Sequence, residues 1–501
     1  MVGRAEAYSD ATVSNSGSPI RCNLAQLGTV DVLTAVAVGL RNAYSGDECH
    51  VLFALPGEST VNTRSVAFLL LLLTAMNIQA SDVPTEHQLV NWHQWRGPFA
   101  NGTAADGAAP PIEWSNSDNI GWTADLPGEG TSTPIVWGNQ VFVLSAEQTD
   151  REAEVPPSLD ERSKTVPPDV YYRFFVTSVD RRTGEVLWQK LAAERVPHEG
   201  HHPTHTYAGG SPTTDGERLY VSFGSRGIYC YALDGQLLWK ADLGNMRTRY
   251  GWGEAVTPVI HRDSLVINWD QEEGSFITCL DPATGRTKWK TERPAEVTSW
   301  NTPLITNVAG RDVVIANGTN KVRAYDLADG RELWSCGGQT VNAIPSPVRF
   351  EDSVIAMSGY RGSLAVSIPL DVRDDVTDSD SVRVLSRRGT PYVPSPLLHS
   401  RRLFFTGANR DILSVLDAAT GQPITEQRRL AGLRSIYASP IAANEHLYFL
   451  GREGACVVLK DDAAFSVAAV NQIDDRIDAS PVAVGDSLFL RSWTKLYCLQ
   501  E

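Results

Sequence analysis

Asp180-Arg181-Arg182-Thr183-Gly184-Glu185-Val186-Leu187-Trp188 is the stretch on which the reading of this chain turns. The pattern returns as Asp281-Pro282-Ala283-Thr284-Gly285-Arg286-Thr287-Lys288-Trp289. Looser copies run Leu233-Asp234-Gly235 to Trp239 and Asp326 through Gly330 to Trp334, and Asp417 to Gly421 has kept the turn without the tryptophan. Each copy carries hairpin chemistry. The carboxylate can accept from the turn backbone, glycine supplies a positive-φ position, and the tryptophan opens the next strand. The glycines stand 51, 50, 45 and 91 residues apart, the last interval being two units. A period of that size marks a propeller or a solenoid.

A second marker precedes each unit, a Ser/Thr-Pro pair followed by a short β-rich run. The pairs are Thr133-Pro134, Ser211-Pro212, Thr257-Pro258, Thr302-Pro303, Ser346-Pro347, Ser395-Pro396, Ser439-Pro440 and Ser480-Pro481, with proline intervals of 78, 46, 45, 44, 49, 44 and 41. Each of the eight units then reads as four short strands, A to D, separated by turns, which is one blade. Proline is tolerated at the first position of a strand because its missing donor is not needed there. The eighth unit ends after its strand C at Leu496–Leu499, whereas a strand-D-like run around Trp122 has no hairpin before it. Pairing these two removes the exposed edges of an open ring. The sequence therefore predicts an all-β fold, an eight-bladed propeller of four-stranded antiparallel blades over residues 120–501, whose last blade is completed by the strand around Trp122. Trp122, Trp188, Trp239, Trp289 and Trp334 are expected to dock between neighbouring blades, each burying about 150–250 Å². Blades 5, 6 and 7 lack this residue, and their seams are expected to rest on aliphatic packing as a softer arc.

The composition suits such a fold, with 42% apolar residues and 13 tryptophans in 501. A net charge of −15 argues against nucleic acid as a partner. The seven cysteines form no C-x-x-C motif and sit mostly in strand-like runs, so buried thiols are the expectation. Residues 1–60 show no repeat and read as an extension outside the fold, even as a stretch that is not translated. Residues 61–80 combine Arg64, an apolar run over residues 66–76 and Ala80 before Ser81, the make-up of a secretory signal peptide; a short buried helix is the other reading. Residues 81–119 are a lead-in to the propeller. The expected location is the periplasm or the extracellular space, with no transmembrane anchor in the mature chain and a monomeric state.

The Asp-x-x-Thr-Gly-x-x-x-Trp hairpin is similar to the repeat of pyrroloquinoline-quinone (PQQ) dehydrogenases and of their non-catalytic relatives, which include the propeller of the bacterial outer-membrane assembly machinery. Together with Trp92-His93-Gln94-Trp95-Arg96-Gly97-Pro98 and the signal-like segment, the chain resembles the secreted PQQ-like propellers of environmental bacteria. The resemblance implies the fold and leaves two activities open. The dehydrogenases carry an adjacent Cys-Cys pair, Ca²⁺ ligands and an aspartate base; this chain has no Cys-Cys and minimal blades. The assembly lipoprotein carries a lipid-bearing cysteine, which is missing before Ser81.

In a propeller the D–A and B–C connections share one face. The D–A positions hold Tyr207, Trp252, Glu254, Trp300, Asn301, Tyr392, Tyr437 and Asp478, and the B–C turns hold Arg226, Lys321, Arg361, Arg410, Arg452 and Lys495. A basic collar with aromatics suits a small anionic, planar or sugar-like ligand at the channel mouth; solvated turn arginines and wedged aromatics are the plainer reading. His198, His201, His202 and His205 lie on the same face and are candidates for a divalent metal or for the channel rim. About 29 residues separate strands B and C of blade 1 and read as a lid, a docking loop or a surface insertion. The acidic insertion 370–380 of blade 5 offers carboxylates for Ca²⁺ without the spacing of an EF-hand. No phosphate loop, G-x-S-x-G elbow or H-E-x-x-H occurs. The leading expectation is an exported, non-catalytic propeller that binds a ligand or an envelope protein, without a cofactor. A PQQ- and Ca²⁺-dependent dehydrogenase and a carbohydrate-binding module are the alternatives.

Overall fold

A computed structural model describes residues 84–501. The extension and signal peptide expected over residues 1–80 lie outside the described residues. Blade 3 shows how each unit forms: Val259–His261, Ser264–Trp269, Phe276–Leu280 and Thr287–Glu292 pair in that order as one antiparallel sheet. The C–D hairpin closes as its residues dictate. Asp281 Oδ1 accepts from the N–H groups of Ala283 (2.9 Å) and Thr284 (2.8 Å), and Gly285 takes a φ of +71°. That glycine also meets the neighbouring blade: a Cβ there would lie 2.5 Å from the Trp239 ring.

The docking rule repeats around the ring. The indole N–H of Trp122 donates to the Arg181 carbonyl (2.9 Å), Trp188 to Leu233 (2.9 Å), Trp239 to Pro282 (2.9 Å) and Trp289 to Leu327 (2.8 Å). In each case a strand-D tryptophan reaches a carbonyl in the next blade's hairpin and its ring packs on that hairpin's glycine. Buried apolar side chains accordingly gather between blades, as in the clusters that join blades 2 and 3 or blades 3 and 4.

Closure follows the prediction. Ile120–Asp125 pairs antiparallel with Lys495–Leu499, with Trp122 opposite Cys498, and completes the eighth four-stranded sheet. The cysteines at 230, 279, 336, 456 and 498 are buried free thiols.

Two expectations are corrected. The acidic insertion of blade 5 is not a cation loop: Asp374–Asp375 adds a fifth, parallel strand to blade 4, and Leu370 and Val376 cover Trp334. The seams of blades 5–7 are not uniformly aliphatic. Between blades 5 and 6, Leu385 packs on Leu416 and Ala418 and faces Gly421, as a docking tryptophan would. Between blades 6 and 7, the Arg428 guanidinium donates to the carbonyls of Ala464 (2.9 Å) and Phe465 (2.8 Å). Between blades 7 and 8, the lead-in takes over. Trp114 N–H donates to Asn471 Oδ1 (3.0 Å), and Asn471 Nδ2 donates to the Ile112 carbonyl (2.8 Å).

Candidate functional site

The residues before the eight prolines form the waist of the axial channel. Backbone N–H groups donate around the ring in one sense: Thr133 to the Ser211 hydroxyl (3.0 Å), Ser211 to Thr257 (3.0 Å), Thr302 to Ser346 (3.3 Å), Ser346 to Ser395 (3.0 Å), Ser395 to Ser439 (2.9 Å), Ser439 to Ser480 (2.9 Å) and Ser480 back to Thr133 (3.1 Å). Seven of the eight junctions, all but that from blade 3 to blade 4, are thereby tied through a side chain rather than a strand. Seven of the hydroxyl oxygens, all but that of Thr302, act as acceptors in this girdle, and among the described residues none of the eight hydroxyls donates to a protein acceptor. All eight line a cavity of about 370 Å³. The waist is therefore a crown of O–H donors facing the axis.

One end of the channel is closed by the lead-in. Trp92 exchanges both backbone hydrogen bonds with Val136 of blade 1 (3.0 and 2.9 Å), and the His93 carbonyl accepts from Thr214 of blade 2 (3.0 Å). Across the ring, Ala104 N–H donates to the Ala442 carbonyl of blade 7 (2.8 Å). Arg96 is fully buried and spans the gap, donating to the carbonyls of Pro440 (2.8 Å) and Pro396 (3.0 Å). With no carboxylate beside it, burial pulls its pKa down to about 9, so it keeps its charge at neutral pH. Gly102 is required here, because a Cβ would lie 2.2 Å from that guanidinium. Trp95 rests on the floor of the cavity with its indole N–H on Ser346 Oγ (3.1 Å).

Aromatic side chains build the wall. Trp252 stacks on Trp300 (centroids 6.5 Å, 25°) and meets Tyr360 edge-on (6.3 Å), while Tyr360 stacks on Tyr392 (4.7 Å, 28°). Tyr437 completes the lining, and burial pushes the Tyr392 phenol up to about 12. The histidine-rich loop crosses part of the mouth: Thr204 Oγ1 is 3.1 Å from the Tyr437 hydroxyl, and His202 meets Trp252 edge-on at 5.7 Å. The result is a blind funnel with an aromatic wall, a hydroxyl waist and an indole floor.

Trp252, Trp300, Tyr392, Tyr437, Asp478, His202 and His205 line the funnel; other candidates sit elsewhere. Tyr207 donates its hydroxyl to the Glu199 carbonyl (3.0 Å), and Asn301 is buried and donates to Ser299 Oγ (2.8 Å). The basic collar does not converge. Arg226 is tied to Glu254 (2.7 Å), Arg452 to Asp478 (2.5 Å) and Lys321 to Asp375 (2.5 Å), while Lys495 stands 3.9 Å from Asp125. Arg410 is exposed, and Arg361 is exposed over the Tyr360 ring at 5.3 Å. Asp478 also accepts from Trp493 Nε1 (2.8 Å), so its charge is spoken for.

The four imidazoles are dispersed. His198 Nε2 faces the Met246 carbonyl (2.7 Å), His201 Nδ1 the His202 carbonyl (3.0 Å), His202 Nδ1 the Thr204 hydroxyl (2.7 Å) and His205 Nε2 the Glu254 carbonyl (3.0 Å). Among the described residues no three His, Cys, Asp or Glu side chains are grouped to hold a metal ion. Burial pushes His205 down to about 4, so it is neutral at physiological pH. Sequence reasoning missed Trp95, Tyr360 and the crown as site residues. The Ser/Thr-Pro marker was the visible signal for the crown.

The chain belongs to a propeller family: the family model described as outer membrane protein assembly factor BamB matches residues 173–427. No curated protein matches the chain. Among solved structures it is similar to the quinohemoprotein alcohol dehydrogenase of Comamonas testosteroni, at 10% identity and a TM-score of 0.50, covering 85% of this chain and 83% of that one. BamB of Moraxella catarrhalis aligns at 13% identity and a TM-score of 0.45, over 72% of this chain and 99% of that one. The family match and the likeness to the dehydrogenase establish the PQQ-like propeller fold. No helix among the described residues is long and apolar enough to cross a membrane.

The residues present do not fit the quinone cofactor of the dehydrogenase branch. Among the described residues the funnel wall holds no Cys-Cys pair, no trio of metal-ligating side chains is assembled, and the one carboxylate of the wall, Asp478, is held by Arg452 and Trp493.

Proposed function

We propose that this protein is an exported, non-catalytic binding propeller that takes a small ring compound with an oxygen-rich edge into the axial funnel. The observation that carries this reading is the crown of eight hydroxyl donors beneath the aromatic wall. Stacked indole and phenol rings favour the flat face of a ring, and the O–H donors favour its acceptor oxygens. The uncompensated Arg96 guanidinium below the waist adds a positive field that favours an anionic or carbonyl edge. A cavity of about 370 Å³ lies within the roughly 300–1,000 Å³ of small-molecule sites. Export rests on the signal-like segment 61–80, and the family's description, outer membrane protein assembly, supports a place in the cell envelope.

Titration with benzoate, benzyl alcohol and glucose, followed by calorimetry, tests the binding reading. Benzoate and glucose are expected to bind, and Trp252→Ala is expected to weaken binding about tenfold or more, since an aromatic stacking contact contributes on the order of 1 kcal/mol beyond the area it buries. Absence of binding across a wider panel of such compounds, or equal binding by the variant, overturns it. The mature N-terminus of the exported protein tests the signal peptide; a first residue upstream of position 61 contradicts it.

A further inference from the structure

The insertion of blade 1 resolves into two parts. Its flanks lengthen strands B and C to Gln140–Glu152 and Val170–Asp180, and residues 153–169 leave the sheet and lie across blades 2 and 3. The descending part of this strap grips one short segment of the D–A connection of blade 2. Lys164 N–H donates to the Tyr250 carbonyl (2.9 Å), Ser163 Oγ to the same carbonyl (3.1 Å), and Thr165 Oγ1 to the Gly251 carbonyl (2.5 Å).

The segment is shaped to receive it. Tyr250 sits at φ +56°, a conformation that costs a tyrosine on the order of 1 kcal/mol and needs support from its surroundings. A Cβ on Gly251 would lie 2.3 Å from Ser163 Oγ, and one on Gly200 would lie 2.6 Å from the Val166 carbonyl. Two glycines, Gly200 in the D–A connection of blade 1 and Gly251 in that of blade 2, thus leave room for the strap. The next residue after Gly251 is Trp252, the hub of the aromatic wall, whose carbonyl accepts from His202 N–H (3.0 Å).

Resting on the binding function proposed above, we propose that Ser163 and Thr165 are positioning residues: the strap fixes the Tyr250–Gly251 backbone and so sets the Trp252 ring in the funnel wall. The strap touches the back of the segment and Trp252 faces the funnel, so an event on the outer surface, such as a partner drawing the strap away, reaches the pocket through two residues of backbone. Glu199 also holds this segment, accepting from the Thr248 hydroxyl (2.5 Å) and N–H (3.1 Å).

The test uses Ser163→Ala/Thr165→Ala beside the conservative pair Ser163→Thr/Thr165→Ser, in the full chain, with benzoate as the probe. Amide hydrogen exchange over residues 248–253 is expected to accelerate about tenfold in the alanine pair, as loss of two net hydrogen bonds allows, while blades 4–7 are unchanged. Benzoate affinity is expected to fall by a similar factor, and the conservative pair is expected to restore both. Gly251→Ala, which pushes the strap off from the other side, is expected to reproduce the alanine phenotype. Unchanged exchange at residues 248–253 in the alanine pair overturns the positioning role. If the wild type binds neither benzoate nor any compound of the wider panel while the exchange result holds, the binding reading fails and the mechanical link stands.

Discussion

The ring is built by two rules on its two sides. From blade 8 through blade 3 a tryptophan on strand D addresses the following hairpin; from blade 5 through blade 7 the same junctions are made by Leu385, by Arg428 and by the Asn471 contact with the lead-in. The seam between blades 4 and 5 is transitional. Trp334 is present and buried, but its indole N–H has no partner among the described residues, because the inserted strand replaces the hairpin it would address. The difference teaches that the tryptophan is one of several ways to fill a wedge-shaped gap. What the gap requires is apolar volume and, where a turn carbonyl is exposed to it, a donor.

The comparison breaks most easily by truncation. Trp289→Ala removes a ring and a hydrogen bond and is expected to cost about 4 kcal/mol, against about 2 kcal/mol for Leu385→Ala, measured by urea unfolding. Equal costs would mean the two arcs are held alike. Acid is the next largest lever. Burial holds His93 and His205 near pKa 4, and both lie against blades 1 and 2. The unfolded chain binds these protons near pH 6.5, so it holds more of them between pH 6.5 and about 4. Stability therefore falls as pH drops through that window, by about 3 kcal/mol for each imidazole. In the other arc His399 faces Asp461 at 3.4 Å, which opposes its downward shift. Hydrogen exchange on acidification is expected to rise in blades 1 and 2 before blades 5–7.

Glu199 works in the opposite sense. Burial raises it from 4.5 to about 7, with Glu254 adding repulsion and Thr248 and Arg226 opposing the shift. Its contribution is complete below pH 4.5 and fades as pH rises to about 7, so Glu199→Gln is expected to steepen the acid loss. The smallest effect separates the tryptophans themselves. Trp289→Phe forfeits the bond to Leu327 and is expected to cost about 1 kcal/mol more than Trp334→Phe, whose indole N–H has nothing to lose.

Local chemistry explains why so much of the architecture was legible in the sequence. An Asp/Gly hairpin, a Ser/Thr-Pro start and two strand runs per unit are decided within ten residues, and they repeat often enough to be counted. The closing strand was legible for the same reason, since Ile120–Asp125 looks like a strand D without its hairpin. The site was legible only in its aromatics. Trp95 looks like part of a lead-in until it is seen beneath Ser346, a contact across 251 positions. The crown was used as a marker of period, but its donors meet only when eight blades close. The collar failed as a set because its members are neutralised or turned outward. Arg226 and Arg452 pair with Glu254 and Asp478 of the D–A connections, Lys321 pairs with Asp375 from an insertion whose course no local pattern dictates, and Arg361 and Arg410 are exposed. The seams of blades 6 and 7 escaped because an arginine in an exposed strand gives no sign that it faces a turn.

The pairing of Ile120–Asp125 with Lys495–Leu499 also sets an order of events. Seven blades are assembled from contacts near in sequence, each able to fold on its predecessor, whereas the eighth joins segments separated by the whole ring. Because the entropy of closing a loop grows only with the logarithm of its length, each doubling costing about 0.6 kcal/mol, this distance of roughly 370 residues penalises the final stability little. It penalises the rate instead, since non-local pairings form slowly. The folding chain therefore passes through an open arc with two unpaired strand edges, and that arc, rather than the finished ring, is the form in which this protein is most exposed to association with its own copies.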